Sequence, residues 1–248
     1  TINSASTLVR SILDDGSKHG GVPLTAPRTP FNHSIGPDRS VAFARLPLDQ
    51  TKQIKGALGV KVNDIVLEVV SATLRRYLEL HDALPDDPLL AVCPVSVRID
   101  DEGNVGNKVS AMFASLATNL PDAADRLETI RQSTEGAKED HNAIGARTLT
   151  DWAEWAAPRT FGLASRLYSS MNLAELVAAY PMGPIMDGAG LNVTVLSYRD
   201  HIDIGFMADA ELVPDIWDLA AQVRPAFDEL LQLAGAKDPT IVKAPAPV

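Results

Sequence analysis

The amino-acid sequence predicts an α/β fold, in which helices pack against a mixed β-sheet. Short apolar or alternating stretches of strand length occur between longer stretches whose apolar residues recur every three to four positions. The composition supports a folded domain, since 46% of the residues are hydrophobic and 22% are charged. A chain of 248 residues can also bury a core large enough to need no disulfide or metal for its stability.

The first 39 residues are rich in Ser, Gly and Pro, and the run from Gly20 to Pro30 cannot hold a helix. We therefore expect a linker or inter-domain crossover over residues 1–39, one domain over 40–236 and a flexible tail over 237–248. Because the chain begins at Thr1 without an initiator methionine or a signal-peptide pattern, we also expect it to be part of a longer protein or a processed product.

The first half of the domain alternates between strand and helix patterns. Residues 40–46 alternate Val41 and Phe43 with small residues, which predicts a strand. A short helix over 49–58 is ended by Gly59, and the three- and four-residue apolar spacing of 62–80 predicts a longer helix. Residues 89–97 and 108–118 are predicted to be strands.

The second half contains more helix and one predicted hairpin. Residues 122–144 and 150–179 are predicted to be helical, the second with a break near Pro158. Strands over 192–198 and 203–207 are expected to form a hairpin whose turn holds residues 199–201. A last helix is predicted from Pro214 to Gly235, with a kink at Pro225.

Charge and cysteine content exclude several classes of protein. The net charge of −10 opposes binding to nucleic acid and to anionic lipid surfaces. Cys93 is the only cysteine, so an intrachain disulfide and a thiolate metal cluster are excluded. None of the five histidines has a two-histidine metal spacing, and no apolar stretch approaches the ~20 residues that span a bilayer. We therefore expect no bound metal and no bound cofactor.

Motifs of self-sufficient active sites are absent from the sequence: it has neither a Gly-x-Ser-x-Gly elbow nor a phosphate-binding Gly-x-x-x-x-Gly-Lys-Ser/Thr loop. The glycine-rich residues 103–107 favour a turn. His201 and Asp203 share one face of a predicted strand. They would form either a base with an orienting carboxylate or, as we favour, a turn histidine and a structural aspartate.

Two polar positions remain open to a structural or a functional interpretation. Asn63 and Asp64 open the most apolar helix, where they would cap its first turn or form a buried polar tie that shapes an active-site loop. Arg98 ends a buried strand, and its guanidinium needs an anion or a carbonyl partner. A structural ion pair is the simpler interpretation of Arg98.

Seven sequence blocks, in this order, resemble one family: residues 62–67 (VNDIVL), 74–78 (LRRYL), 94–98 (PVSVR), 106–113 (GNKVSAMF), 180–184 (YPMGP), 190–198 (GLNVTVLSY) and 212–215 (LVPD). The chain is similar, from about Pro23 to Gly235, to the C-terminal half of bacterial wax ester synthase/acyl-CoA:diacylglycerol acyltransferases. Any one block would be weak, and the order of all seven makes the resemblance specific.

The resemblance implies one half of a two-domain CoA-dependent acyltransferase, related to chloramphenicol acetyltransferase and to condensation domains. The family's catalytic His-His-x-x-x-Asp-Gly motif belongs to the N-terminal half and does not occur here, so no residue of this chain inherits the base role. The implied partners are that half, acyl-CoA as co-substrate, and a diacylglycerol or fatty alcohol acceptor. Residues expected to support the active site or line its channel are Asn63, Asp64, Arg98, Asn107, Ser110, Asn192 and Ser197.

The sequence departs from the family just before Tyr180. Family members carry there a strand with a Ser-Asn-Val-Pro-Gly-Pro signature and a short hairpin, which this sequence lacks. Either the segment is deleted, which would remove a sheet strand and much of the channel lining, or it is mobile and absent from this sequence. An alternative function is a non-catalytic lipid- or protein-binding domain of the same fold.

The insoluble substrates imply a cytoplasmic protein bound peripherally to a membrane or lipid droplet. Residues 152–176, rich in aromatic and aliphatic side chains, would form either an interfacial helix or part of the core.

Overall fold

The structure of the protein is a computed structural model that describes residues 26–97, 108–143 and 177–237. The chain divides into two compact units. The larger unit comprises Ala26–Leu89, Leu116–Arg131 and Val177–Val248, and the smaller comprises Thr1–Thr25, Leu90–Ser115 and Gln132–Leu176. Arg98, Asn107, residues 1–25 and most of the predicted helix over 150–179, including residues 152–176, lie outside the described parts.

The described residues form five strands and five α-helices. In chain order they are β1 (Arg39–Pro47), α1 (Leu48–Leu58), α2 (Val62–Leu80), β2 (Leu90–Val97), β3 (Lys108–Ser115), α3 (Ala123–Ala143), β4 (Leu191–Tyr198), β5 (His201–Asp209), α4 (Ile216–Ala221) and α5 (Val223–Lys237). None of the helices in these parts of the chain has the length and apolarity that crossing a bilayer requires.

The α/β class is confirmed, and the described strands form two sheets. The larger unit holds a three-stranded sheet in the order β1-β5-β4, and the smaller unit holds the pair β2-β3. Each pair of neighbouring strands in these two described sheets is antiparallel. Apolar periodicity shows which residues are strands, but it carries no information on which strands pair or in which direction.

The core of the larger unit is built on β5, its central strand. Alternate residues of β5 that face one side of the sheet are almost fully buried: Ile202, Ile204, Phe206 and Ala208. Helix α5 packs against both α1 and α2 in this unit, and its residues Phe227 and Leu230 have no solvent exposure. The three- and four-residue apolar spacing of α2 and α5 therefore matches the faces that these helices bury.

Several element ends differ from the predicted ones for identifiable reasons. Helix α1 ends at Gly59 as predicted, with a left-handed φ of 69°. The single kinked helix predicted over 214–235 is instead two helices, α4 and α5, separated at Gln222. Pro225 lacks an N–H, and its ring would clash with the Ala221 carbonyl in a continuous helix.

Three further predictions need correction. The strand predicted over 108–118 ends at Ser115, since Ala117 has a φ of 49°. Residues 177–179, predicted as the end of a helix, are not helical. The β4–β5 hairpin is confirmed with a tighter turn: Arg199 and Asp200 alone form it, and His201 is already part of β5.

Residues 26–38, placed by the sequence in a linker, pack on the larger unit. Phe31 is buried, and its carbonyl accepts a hydrogen bond from Gly190 N at 2.7 Å. Asp209, at the end of β5, accepts a hydrogen bond from Gly36 N at 2.7 Å. Burial would raise the pKa of Asp209, but backbone N–H groups of Leu212, Gly36 and Glu211 outweigh it and lower that pKa.

A segment formed by residues 177–184, which we call the crossing segment, runs over the larger sheet. It crosses β5 at Gly205, where any Cβ would overlap with the carbonyl oxygen of Pro181. A second glycine, Gly183, lies so close to Asn192 of β4 that a side chain would collide with the Asn192 amide. Two missing side chains therefore allow the segment to approach the sheet closely.

The helical layer of the larger unit contains a buried ion pair between Arg126 of α3 and Glu68 of α2. Arg126 Nε and Nη2 both donate to Glu68 Oε1, at 3.1 and 2.9 Å, and both side chains are at most 2% exposed. Arg126 also donates to the carbonyl oxygens of Leu120 and Pro121. Burial raises the pKa of Glu68 to about 7, although Arg126 opposes that rise.

We expect Arg126→Met to destabilise the protein by about 3–5 kcal/mol, because it leaves the Glu68 carboxylate buried without its partner. The loss should be smaller at low pH. The pKa of Glu68 is about 7 in the folded protein and 4.5 ordinarily. Its contribution to the free energy of unfolding is therefore fully present below pH 4.5, where the carboxyl group is neutral, and is lost as the pH rises through about 7. Urea unfolding at several pH values measures both effects.

The matched control is Arg131→Met on the same helix. Arg131 pairs with Glu128 at the surface, where such pairs contribute about 0–1 kcal/mol. Equal losses for the two variants would contradict the importance of the buried pair.

We further expect Gly205→Ala to destabilise the protein by about 1–3 kcal/mol, since the added methyl group must displace the crossing segment. The control is Gly56→Ala in α1, where an added Cβ meets no atom within 4 Å. That change should stabilise the helix by about 0.5–1 kcal/mol. Denaturant midpoints compare the two variants, and an unchanged midpoint for Gly205→Ala would show that the close approach carries no energetic weight.

Candidate functional site

The face of the larger sheet that the crossing segment covers combines aromatic and polar side chains. We call it the Gly205 face. Residues directly opposite each other in antiparallel strands share a face, so the strand register defines its members. They form three rows across β1, β5 and β4: Val41, Met207 and Asn192; Phe43, Gly205 and Thr194; and Arg45, Asp203 and Leu196.

A charged pair fixes the beginning of the crossing segment to this face. Arg45 Nε donates to Asp203 Oδ1 at 2.7 Å, and Arg45 Nη2 donates to the carbonyl oxygen of Val177 at 2.8 Å. The second carboxylate oxygen of Asp203 accepts a hydrogen bond from Ala179 N at 3.0 Å. Its hydrogen bond to Asp203 raises the pKa of the Arg45 guanidinium, which therefore stays charged.

Three aromatic rings from three different segments meet at the same place. Phe43 of β1 stacks on Tyr180 of the crossing segment, with ring centroids 4.6 Å apart. Trp217 of α4 meets Phe43 edge-on at 5.9 Å, and the Arg45 guanidinium lies 5.7 Å from the Tyr180 centroid. Trp217 is 58% exposed and Tyr180 is 37% exposed. This aromatic cluster offers an accessible apolar surface bordered by a cation.

A short polar pair lies on the β4 side of the same face. Thr194 Oγ1 donates to Asn192 Oδ1 at 2.6 Å, and both residues occupy the β4 side of the Gly205 face. The Asn192 side chain also borders Gly183 of the crossing segment. Asn192, one of the predicted channel residues, is therefore placed against the crossing segment.

The other predicted site residues lie elsewhere. Ser197 is exposed on the opposite face of β4, where its register partner is Ile202. Ser110 lies in β3 of the smaller unit, opposite Val95. Asp64 is buried and accepts a hydrogen bond from Lys61 N at 2.9 Å, whereas Asn63 is exposed. The bond to Lys61 supports the helix-capping interpretation for Asp64.

The possible base formed by His201 and Asp203 does not occur. His201 Nδ1 pairs with Asp200 at 2.8 Å, while Asp203 is committed to Arg45 and Ala179. The interpretation of Asp203 as a structural aspartate is thus confirmed, whereas His201 is the first residue of β5 and not a turn residue. Among the described residues, no group of three or more His, Cys, Asp or Glu side chains could hold a metal ion.

The sequence missed the aromatic cluster because its rings are far apart in the chain. Phe43 carried only a strand pattern, Tyr180 lay in a family block, and Trp217 was assigned to a helix without a role. The alternation of Val41, Phe43 and Arg45 was the one signal that these side chains share a face.

Comparison with known proteins gives matches to two descriptions of one family. Residues 1–66 match the wax ester synthase/diacylglycerol acyltransferase catalytic domain, and residues 105–174 and 164–231 match the WS/DGAT C-terminal domain. The O-acyltransferase WSD of Acinetobacter baylyi is 31% identical to the chain, over 78% of this chain and 46% of its own length.

A Mycobacterium tuberculosis protein, provisionally assigned as a diacylglycerol O-acyltransferase, is 31% identical over 91% of this chain and 50% of its own length. The chain thus spans about half the length of the curated relatives it matches. That alignment covers 253 positions, more than the 248 residues of this chain, so it includes positions of the relative with no counterpart here. Such positions are expected if a family segment is missing.

Solved structures agree with this assignment. The wax ester synthase/diacylglycerol acyltransferase from Marinobacter aquaeolei VT8 has a TM-score of 0.67 and 26% identity, and it covers 95% of this chain and 57% of its own. The epimerization domain of tyrocidine synthetase B, with 13% identity and a TM-score of 0.51 over 87% of this chain and 54% of its own, shares the fold alone. The chain therefore belongs to the wax ester synthase/diacylglycerol acyltransferase family.

Proposed function

We propose that this chain is the C-terminal part of an acyl-CoA-dependent O-acyltransferase that makes triacylglycerol or wax ester. The acceptor would be a diacylglycerol or a fatty alcohol. The observation that carries the proposal is the family match, which extends from the catalytic-domain description into the C-terminal-domain description within one chain.

In the proposed reaction the acceptor hydroxyl attacks the carbonyl carbon of the acyl-CoA thioester. A C–O bond forms, the C–S bond breaks, and the hydroxyl proton passes through a general base to the departing thiolate. The sequence lacks the His-His-x-x-x-Asp-Gly motif, so we assign that base to a family N-terminal half outside these 248 residues.

The role of the present chain would be to bind and orient substrate. The aromatic cluster of Phe43, Tyr180 and Trp217 is suited to contact an acyl chain, since flat rings bury much apolar area at low entropic cost. Asn192 and Thr194 would supply the polar groups beside it. Asn63, Asp64, Arg98, Asn107, Ser110 and Ser197 remain proposed supporting or channel residues.

We place the enzyme in the cytoplasm, bound peripherally to a membrane or lipid-droplet surface, because its acceptor and product are insoluble. With a net charge of −10, the protein would contact such a surface through apolar and aromatic residues. The alternative function, a non-catalytic lipid- or protein-binding domain, is favoured by one observation: the aromatic cluster is accessible in a chain that lacks the catalytic motif.

The test is to compare the chain alone with a fusion in which a relative's motif-bearing N-terminal half precedes it. Each is given a long-chain acyl-CoA with diacylglycerol or fatty alcohol, and release of free CoA thiol is followed. We expect thiol release from the fusion alone, and none when both motif histidines are replaced by alanine. A silent fusion that still binds acyl-CoA would favour the non-catalytic alternative, and equal turnover by the isolated chain would disprove the division of roles.

In that fusion we expect Trp217→Ala to raise the KM for long-chain acyl-CoA about tenfold, equivalent to about 1.4 kcal/mol of binding energy. The reason is the loss of the exposed ring of the cluster. Leu80→Ala, which removes another exposed apolar side chain outside the cluster, should leave KM unchanged. Steady-state kinetics with short and long acyl chains measure the effect, and similar changes in the two variants would remove the cluster from the site.

A further inference from the structure

Helix α2 ends beside the loop that precedes α4, and three side chains join the two. Tyr77 Oη donates to Asp215 Oδ1 at 2.6 Å. The His81 ring lies between two groups: its Nε2 is 2.8 Å from Asp215 Oδ2, and its Nδ1 is 2.8 Å from the carbonyl oxygen of Tyr77. Both oxygens of the Asp215 carboxylate therefore face donors from α2.

Every polar group of this cluster has a hydrogen-bond partner in only one protonation state of His81. A backbone carbonyl oxygen accepts and never donates, and so does an ionised carboxylate. The two ring nitrogens of His81 must therefore both donate, which requires the doubly protonated imidazolium. A neutral ring carries one N–H and leaves the lone pair of its other nitrogen facing an acceptor.

The surroundings favour the same charged state. His81 is the residue that ends α2, where the helix dipole favours a positive charge. The hydrogen bond to Tyr77 O, followed by Asp215 and the nearby charge of Asp218 in α4, raises the pKa of His81. For Asp215, hydrogen bonds from Tyr77 and His81 outweigh its desolvation and lower its pKa. Desolvation and then Asp215 raise the pKa of Tyr77, which keeps its hydroxyl proton.

Ring packing holds His81 in this position. The His81 ring lies 4.3 Å from the Tyr77 ring, and the Tyr77 ring also stacks on Phe31, with centroids 6.1 Å apart. Tyr77 is almost fully buried, so its ring is a fixed surface against which the imidazole packs. His81 itself is part-exposed and can exchange its proton with solvent.

We propose that His81 is a pH-sensitive latch: when protonated it adds a second tie, beside that of Tyr77, between the end of α2 and Asp215 at the start of α4, and when neutral it loses one of its two hydrogen bonds and loosens this junction. The element under control is short: α4 begins one residue after Asp215 and carries Trp217, the exposed ring of the aromatic cluster. Protonation would thus hold Trp217 against Phe43. The inference rests on the contacts of His81 and does not depend on the proposed acyltransferase function.

The direction of the pH effect follows from linkage. Because the pKa of His81 is raised in the folded protein, the latch is fully closed below the ordinary histidine value of 6.5 and opens as the pH rises through the folded-state pKa. Asp215, with a lowered pKa, stays ionised throughout this range.

The experiment is hydrogen exchange by mass spectrometry on the full chain, at pH values of about 5.5 and about 8.5, on either side of the ordinary histidine pKa. Exchange rates of peptides covering residues 212–221 are corrected for the intrinsic effect of pH. We expect protection of these peptides to fall by about three- to tenfold at the higher pH, the effect of losing one hydrogen bond. In His81→Gln the protection should not depend on pH.

Two further variants make the test specific. His201→Gln removes a surface histidine that also pairs with an aspartate, and it should keep the pH response of residues 212–221. In Asp215→Asn the new amide nitrogen donates to His81 Nε2, while the remaining oxygen still accepts from Tyr77. The neutral ring, which accepts at Nε2 and donates from Nδ1 to the Tyr77 carbonyl oxygen, then has both hydrogen bonds. The pH response should then reverse, with more protection at the higher pH.

Imidazole nitrogen resonances of the unaltered chain, assigned by their loss in His81→Gln, should show both ring nitrogens of His81 protonated below about pH 6.5. The proposal is overturned if protection of residues 212–221 in the unaltered chain is independent of pH, if His81→Gln retains the response, or if Asp215→Asn fails to reverse it.

Discussion

Asp203 lies in the central strand of the larger sheet and has no solvent exposure. Without a partner, its buried carboxylate would destabilise the fold by about several kcal/mol, the desolvation penalty of a buried ion. Arg45 and the backbone N–H of Ala179 satisfy it. The same contacts hold Val177 and Ala179 against the sheet, and they set Tyr180 over Phe43. The stacking of Tyr180 on Phe43 thus depends on a buried carboxylate in the neighbouring strand.

The helical layer uses a second buried charge in a different way. One carboxylate oxygen of Glu68 accepts a hydrogen bond from Arg126, and the other has no hydrogen-bond partner in the described parts of the chain. Buried atoms of Gln50 and Thr73 are also unpaired there. Full satisfaction of Asp203 and partial satisfaction of Glu68 are consistent with different tasks, since a complete set of bonds fixes one geometry whereas an incomplete set mainly ties helices together.

The sequence predicted local structure and family membership better than it predicted the candidate site. It gave the bounds of α2 correctly, because apolar periodicity and a helix end are local signals. The pairing of β1 with β5 was beyond it, since the paired residues Phe43 and Gly205 are distant in sequence. His81 was missed for the same reason: its significance lies in Asp215, which only the fold brings within hydrogen-bond distance. Asn192, named through the family resemblance, is the predicted site residue that lies on the Gly205 face, against Gly183 of the crossing segment.

Gly205 has a consequence for the divergence of such proteins. Any side chain there overlaps with the Pro181 carbonyl, so the two positions cannot change independently. A lineage that acquires a larger residue at position 205 must first lengthen or redirect the chain around position 181. The mutational routes open to this face are therefore ordered in time: the backbone of the crossing segment has to move before the sheet beneath it can be altered.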